Sequence, residues 1–174
     1  MDLKKLYSEY KELEQKDRLM VHSFFDRLPL SDNKFKFEIH NIINESIVHE
    51  DPAQLLFALN IAYRNGIDSS YTKLIAKLLT ATWHDEHEDL VNIIYLENLN
   101  DDIFTDSLYI IATETDPYRK YDDELEPTLR KCIHALKTIN SEKANAYIKK
   151  LKSIKNSNVD TVLSMYKSSK GPNA

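Results

Sequence analysis

The fold class is decided by one stretch, WHDEHEDLVNIIYLENLNDDIFTDSLYII, which runs from Trp83 to Ile111. Its middle is apolar at almost every position from Leu90 to Leu96, which predicts a helix that is buried on most sides. Asp85, followed three positions later by Glu88, is typical of a helix start. After a polar turn, apolar residues recur at helical spacing at Phe104, Leu108 and Ile111. The stretch therefore predicts a helical hairpin, and no residue in it specifies a reaction.

The composition of the whole chain favours the same class. Only two glycines among 174 residues leave little material for tight turns between strands. Outside the hairpin, helical patterns are separated by clear stops and starts. The sharpest start is Asp51-Pro52, a capping side chain before a residue suited to the first turn of a helix. The chain is predicted to be all-α, with about eight to ten helices.

The second helices of successive hairpins match in register. Apolar positions recur at a step of 33 residues and then of 40, in three sets: Tyr71, Ile75 and Leu78; Phe104, Leu108 and Ile111; Ala144, Ile148 and Leu151. Repeats of this size are typical of an α-solenoid, a stack of helical hairpins. We predict one helical-repeat domain over residues 1–168, with N-terminal helices over 1–50, hairpins over 51–168 and a polar tail over 169–174.

Charge is distributed unevenly along the chain. Residues 1–83 carry 11 basic and 12 acidic side chains, residues 84–126 carry 2 and 14, and residues 127–174 carry 10 and 2. The three net charges are −1, −12 and +8, within a total of −5. The acidic middle should attract a basic partner and repel nucleic acid. Alternatively, the acidic middle and the basic end neutralise each other across neighbouring helices.

The sequence also indicates the cellular compartment of the protein. Its one cysteine, Cys132, excludes an intrachain disulfide and lies among apolar residues at helical spacing, which indicates a buried thiol. No apolar run approaches the roughly 18 residues that span a bilayer, and the charged N-terminus is unlike a secretory signal. We expect a cytoplasmic protein that has no membrane partner.

His84, His87 and Glu88 are the candidate metal group. His-x-x-His places two rings within one helical turn, but the order differs from the His-Glu-x-x-His of zinc proteases, and a third ligand has to come from elsewhere. His84-Asp85 is also similar to the His-Asp pair of metal-dependent phosphohydrolases, whose other ligands do not align here. The alternative is an acidic helix start with a histidine packed beside Trp83. We therefore predict no catalytic residue, no cofactor and no metal.

Several motifs resemble those of bacterial HEAT-like repeat proteins. They are Trp83-His84, His87-Glu88-Asp89-Leu90, Pro117-Tyr118, Tyr121-Asp122, and Arg130-Lys131-Cys132-Ile133 with Ala135-Leu136 and Ile139 behind it. The likeness covers residues 51–165 and implies a short α-solenoid that acts as a non-enzymatic binding scaffold. Relatives with this layout are often associated with immunity to polymorphic bacterial toxins. An enzyme alternative remains, because HEAT-like repeats also occur in DNA-repair glycosylases, and ten basic residues after Pro127 could then face DNA.

Partner binding is predicted to use the acidic connection that follows the hairpin. The hypothesis places nine residues on one surface: Asp102, Asp106, Glu114, Asp116, Tyr118, Tyr121, Asp122, Asp123 and Glu124. Their carboxylates would steer a basic protein, such as a nuclease toxin with a phosphate-binding cleft, and tyrosine is common at interface hot spots. The function predicted from the sequence is inhibition of a cognate toxin, with no nucleic-acid partner.

Overall fold

The computed structural model of the chain describes residues 3–16, 23–26, 28 and 33–168. Helix accounts for 75% of the residues, and the described part contains no strand. The prediction of an all-α fold is confirmed. Predictions made for the remaining positions, including the polar tail over 169–174, lie outside the described residues.

The chain divides into two compact units, residues 1–67 and 68–174. Helix Pro52–Asn65 belongs to the first of these units, where it packs against helices Leu3–Lys16 and Asn33–His49.

The first unit contains helices α1 (Leu3–Lys16), α2 (Asn33–His49) and α3 (Pro52–Asn65), and residues 23–26 are also helical. Its core is aromatic. The ring of Phe57 on α3 is fully buried, and its centroid lies 5.2–6.4 Å from those of four other rings, which belong to Tyr7, Tyr10, Phe24 and Phe25. Aromatic clusters of this kind bury large apolar areas, and tilted or edge-on rings suit their quadrupoles.

The predicted start and end of α3 are confirmed. The carboxylate of Asp51 accepts a hydrogen bond from the amide of Gln54 at 3.0 Å, and Pro52 occupies the first turn. Gly66, at φ 83°, ends the helix in a conformation that disfavours other residues.

The second unit contains six α-helices within its described part. They are α4 (Thr72–Leu78), α5 (His87–Leu96), α6 (Thr105–Thr113), α7 (Pro127–Ile139), α8 (Glu142–Ser153) and α9 (Ser157–Ser168). Helix α7 is central, since α5, α6, α8 and α9 all pack against it. Its inward face, with Cys132, Ile133 and Leu136, is fully buried.

Helices α4 and α6 begin in the same way, 33 residues apart. The carboxylate of Asp68 accepts from the amide of Ser70 at 2.9 Å, and that of Asp101 accepts from Ile103 at 2.9 Å. Each aspartate precedes a 3₁₀ turn, Ser69–Tyr71 or Asp102–Phe104, which runs into the α-helix. All nine positions of the predicted register are buried, so the periodicity correctly identified the inward faces of these helices.

Two predictions for the stretch from Trp83 to Ile111 are wrong. Helix α5 begins at His87, and Glu86 at its cap makes no side-chain capping bond. Asp85 and Glu88 do not cap this helix, because their carboxylates accept from Tyr121 and Lys131. Tyr95 and Leu96 were expected to be buried but are 38% and 60% exposed. Helix α5 packs against α7 and α4, and this packing leaves the two residues of its last turn in solvent.

Among the residues described, every helix falls short of the length and apolar character that a bilayer crossing requires.

Candidate functional site

The acidic connection, residues 114–126 between α6 and α7, is held in place by Arg119. Its side chain is only 7% exposed. One guanidinium nitrogen donates to the carbonyl of Ala112 at 2.6 Å, and another donates to Oε1 of Glu126 at 2.8 Å. The third, Nε, lies 3.2 Å from Oδ2 of Asp122, as an ion pair without hydrogen-bond alignment. Arg119 thus joins the end of α6 to the start of α7.

Asp122 belongs to this buried network and not to a binding rim. Its side chain is 4% exposed, and its two oxygens accept from the amides of Thr128 at 3.0 Å and Leu129 at 3.4 Å. These amides belong to the first turn of α7, where backbone N–H groups have no partner within the helix. The expectation that Asp122 faces solvent is wrong, because the helix start and Arg119 both require its carboxylate.

Glu126 extends the network to α9. Its Oε2 accepts from the side-chain amides of Asn156 at 2.6 Å and Asn158 at 2.9 Å. Burial acts to raise the pKa of Glu126, but these hydrogen bonds and the charge of Arg119 outweigh it, so the net pKa is lowered. The acidic connection is therefore fixed to the second unit by side-chain bonds to the end of α6, the start of α7 and the start of α9.

Tyr121 is the large exposed aromatic residue of the connection, and its orientation is held. Its hydroxyl donates to Oδ2 of Asp85 at 3.0 Å. The ammonium of Lys120 lies 2.5 Å from Oδ1 of Asp85 and 4.9 Å from the centroid of the Tyr121 ring. The hydrogen bond from Lys120 is the main cause that lowers the pKa of Asp85. The ring is nevertheless 71% exposed, so an ordered aromatic surface faces solvent.

The remaining carboxylates of the connection are exposed to solvent, and they lie close to Tyr121 in the sequence. Glu114, Asp116, Asp123 and Glu124 are exposed, and none forms an ion pair within the described part of the chain. Leu125, which is not among the nine predicted residues, is 59% exposed. Leu125 lies in a loop, where no helical periodicity shows which side chains are exposed, so the sequence alone does not identify it as a surface residue.

Asp102 and Asp106 are used elsewhere in the fold. Oδ1 of Asp102 accepts from the hydroxyls of Ser141 and Thr105, at 2.5 and 2.6 Å. Asp106 accepts from Lys143 at 2.6 Å and from the hydroxyl of Tyr147 at 2.7 Å. The pair of Asp106 with Lys143 on α8 agrees with the alternative interpretation, in which the acidic middle and the basic end neutralise each other, whereas Asp102 bonds to neutral hydroxyls.

Tyr118 and the two histidines form an internal aromatic cluster. The Tyr118 hydroxyl donates to the carbonyl of Thr80 at 3.4 Å, and its ring meets that of His87 edge-on at 5.1 Å. The rings of His84 and His87 stack at 4.7 Å, and Trp83 meets His84 edge-on. This arrangement, with a histidine packed beside Trp83, is the predicted alternative to a metal site.

Both histidines bond to backbone carbonyls at or just after the end of α4. Nε2 of His84 donates to the carbonyl of Leu78 at 3.1 Å, and its Nδ1 accepts from the amide of Glu86 at 3.1 Å. Nε2 of His87 donates to the carbonyl of Ala81 at 2.8 Å. Since a carbonyl can only accept, these bonds specify the tautomers. His84 has both ring nitrogens engaged and can take a metal only by giving up these bonds.

The buried histidines make the stability of the second unit depend on pH. Burial and the neighbouring His87 lower the pKa of His84 to about 4, while an unfolded histidine titrates near 6.5. The unfolded state therefore binds a proton first, and stability present above pH 6.5 is lost as the pH falls towards 4. The predicted loss is about 2–3 kcal/mol.

Urea unfolding at several pH values should show this loss of stability. The variant His84→Gln, which keeps a donor for the carbonyl of Leu78, should make the free energy of unfolding depend less on pH. An equal slope in the variant would contradict this assignment.

Metal-binding side-chain types and the thiol of Cys132 are the remaining candidates for chemistry in this unit. The described residues contain no cluster of three or more side chains suited to hold a metal. Cys132 is fully buried, and burial raises the pKa of its thiol, which keeps it protonated and unreactive.

Comparisons with protein-family models, with curated proteins and with solved structures find no match for this chain.

Proposed function

We propose that the protein is a non-enzymatic binding scaffold that engages a basic protein partner through its acidic connection. The observation that carries the proposal is the exposed, oriented ring of Tyr121, followed in the sequence by the exposed Leu125, in a segment whose outward carboxylates have no counter-charge in the described residues. Large apolar side chains surrounded by like charges are unfavourable on an isolated surface and are typical of interaction sites.

The orientation of Tyr121 supports a role as an anchor. A side chain that is already held by Asp85 and Lys120 loses little conformational freedom when a partner covers it. Tyrosine supplies a large contact area with few rotatable bonds and is enriched among hot spots.

The distribution of paired and unpaired acids supports a basic partner. Asp85, Glu88 and Asp106 are matched by lysines, and Asp122 and Glu126 by Arg119. The carboxylates left over in the connection, those of Glu114, Asp116, Asp123 and Glu124, form a negative field that should speed the approach of a basic surface. The binding residues of the proposal are these four together with Tyr121 and Leu125.

The partner we propose is a bacterial toxin with a basic active-site cleft, such as a nuclease, which this protein would cover as a cytoplasmic inhibitor. The proposed architecture behind the site is a HEAT-like stack of hairpins. The shared start of α4 and α6 and the buried register of their inward faces support that architecture. Neither part of the proposal requires a cofactor or a metal.

The test uses the product of the adjacent gene, immobilised for surface plasmon resonance. Association should slow as salt rises from low to physiological levels, because exposed charges are screened beyond about 8 Å at 0.15 M. Asp123→Lys with Glu124→Lys should lower the association rate. Tyr121→Ala should instead speed dissociation at least about fivefold, as the loss of an anchor worth about 1 kcal/mol does.

The matched control is Glu142→Lys, a charge reversal at an exposed acid on α8. Its rates should stay close to those of the unsubstituted protein. Unchanged rates in the connection variants would place the interface elsewhere. Binding of a labelled oligonucleotide that is lost with the exposed lysines of α8, Lys149, Lys150 and Lys152, would instead favour the DNA-binding alternative.

A further inference from the structure

A row of basic side chains lies on the outer face of α7. Arg130, His134 and Lys137 follow the spacing i, i+4, i+7, which places them on one side of the helix over about 10 Å. Lys131, the neighbouring cation, pairs with Glu88 at 2.6 Å. Within the described part of the chain, neither Arg130 nor Lys137 pairs with an acid. The two permanent cations of this cationic row, Arg130 and Lys137, are therefore positive charges that the described part of the fold leaves without an acidic partner, in a chain whose net charge is negative.

Aromatic residues from two other helices frame the cationic row. Tyr95 on α5 stacks on the ring of His134 at 4.9 Å, and the hydroxyl of Tyr166 on α9 lies 2.7 Å from its Nδ1. The ammonium of Lys137 lies 5.7 Å from the centre of the Tyr166 ring. Exposed apolar area accompanies both sides, at Tyr95 and Leu96 on α5 and at Met165 on α9, which is 48% exposed. An occupant of this surface should therefore combine negative charge with apolar groups.

The chain itself carries a segment of that composition. Residues 121–125, with the sequence Tyr-Asp-Asp-Glu-Leu, present two exposed apolar side chains and two exposed carboxylates, those of Asp123 and Glu124. This segment lies at the start of α7, since Asp122 caps that helix. The acidic segment and the cationic row thus follow each other along the same helix.

We infer that the protein forms a two-fold dimer in which the acidic segment of each copy docks on the cationic row of the other. Two α7 helices placed antiparallel would bring each helix start over the later turns of its partner, so both contacts form at once. Two-fold dimers are the commonest homo-oligomers, and their interfaces are self-complementary in this sense. Nucleic acid is a poorer occupant, because the exposed carboxylates of the connection would repel its phosphates.

Dimerisation would regulate the proposed function, since it covers Tyr121 and Leu125, the residues proposed to meet a basic partner. The two ideas remain separable. Both need the acidic connection, but only the dimer needs the cationic row, and only partner binding needs another protein.

The experiment is sedimentation equilibrium of the purified chain over a concentration series at low and physiological salt. We expect a monomer–dimer equilibrium that salt weakens. Arg130→Glu with Lys137→Glu, and separately Asp123→Lys with Glu124→Lys, should each raise the dissociation constant at least about tenfold. An equimolar mixture of the two variants should regain dimers, because both contacts of the heterodimer again join opposite charges.

Circular dichroism and thermal unfolding should first show that both variants are folded, and Glu142→Lys should dimerise like the unsubstituted chain. A monomer at every concentration, homodimers that persist in both variants, or a mixture that stays monomeric would overturn the inference. So would a monomer that binds an oligothymidylate through the cationic row, because the occupant would then be a foreign anion. The variant with the reversed row should still bind the toxin partner, so a failure there concerns the proposed function alone.

Discussion

Arg119→Ala is expected to destabilise the second unit by about 3–5 kcal/mol, the largest effect of any substitution proposed for this protein. The guanidinium is buried and faces Asp122 and Glu126, and it also satisfies the carbonyl of Ala112. Truncation would leave one nearly buried carboxylate and one partly buried carboxylate without their cation. It would also release the acidic connection from α6, so a partner that recognises the oriented Tyr121 should bind more weakly.

The measurement is urea unfolding at neutral pH, followed by the fluorescence of Trp83. This is the single tryptophan of the chain, and it lies in the second unit. Lys120→Ala is the matched control, because its side chain is partly exposed and exposed ion pairs contribute at most about 1 kcal/mol. If both variants unfold at the same urea concentration, the network around Arg119 is not what holds the connection.

Leu108→Ala and Ile133→Ala should each destabilise the second unit by about 2–5 kcal/mol. Both side chains are fully buried, Leu108 on α6 and Ile133 on α7, and these two helices pack against each other. Each truncation removes apolar burial and leaves a cavity that a close-packed interior cannot fully close.

Leu96→Ala serves as the comparison for these two variants, because it makes a similar truncation at a residue that is mostly exposed. Its effect on the free energy of unfolding should stay within about 0.5 kcal/mol. The same Trp83 signal applies to all three proteins. Silent substitutions at both buried positions would show that the helices of this unit pack in a different register.

Local chemistry explains why the helices and their inward faces could be predicted from the sequence. A cap such as Asp51 or Ser141 bonds to an amide three residues later, so its effect depends on neighbours in the chain. Apolar residues at helical spacing can be buried only on one side, which is why the whole predicted register lies inside. The same local pattern at Tyr95 was misleading, because burial also needs another helix above the residue.

The function of individual charges depended on contacts that join distant parts of the chain. The carboxylates of Asp85 and Asp106 meet partners 36 and 37 residues away, at Tyr121 and Lys143. No local pattern distinguishes these acids from Glu124, which stays exposed.

The sequence alone therefore determined an all-α chain with an acidic middle and a basic end, because helix propensity, capping and net charge are properties of neighbouring residues. Only the tertiary structure decided which acids are neutralised, that Asp122 is buried while Tyr121 and Leu125 face solvent, and that a cationic row remains on α7. Charge pairing and burial depend on which helices become neighbours in space, and that packing brings together residues far apart in the chain.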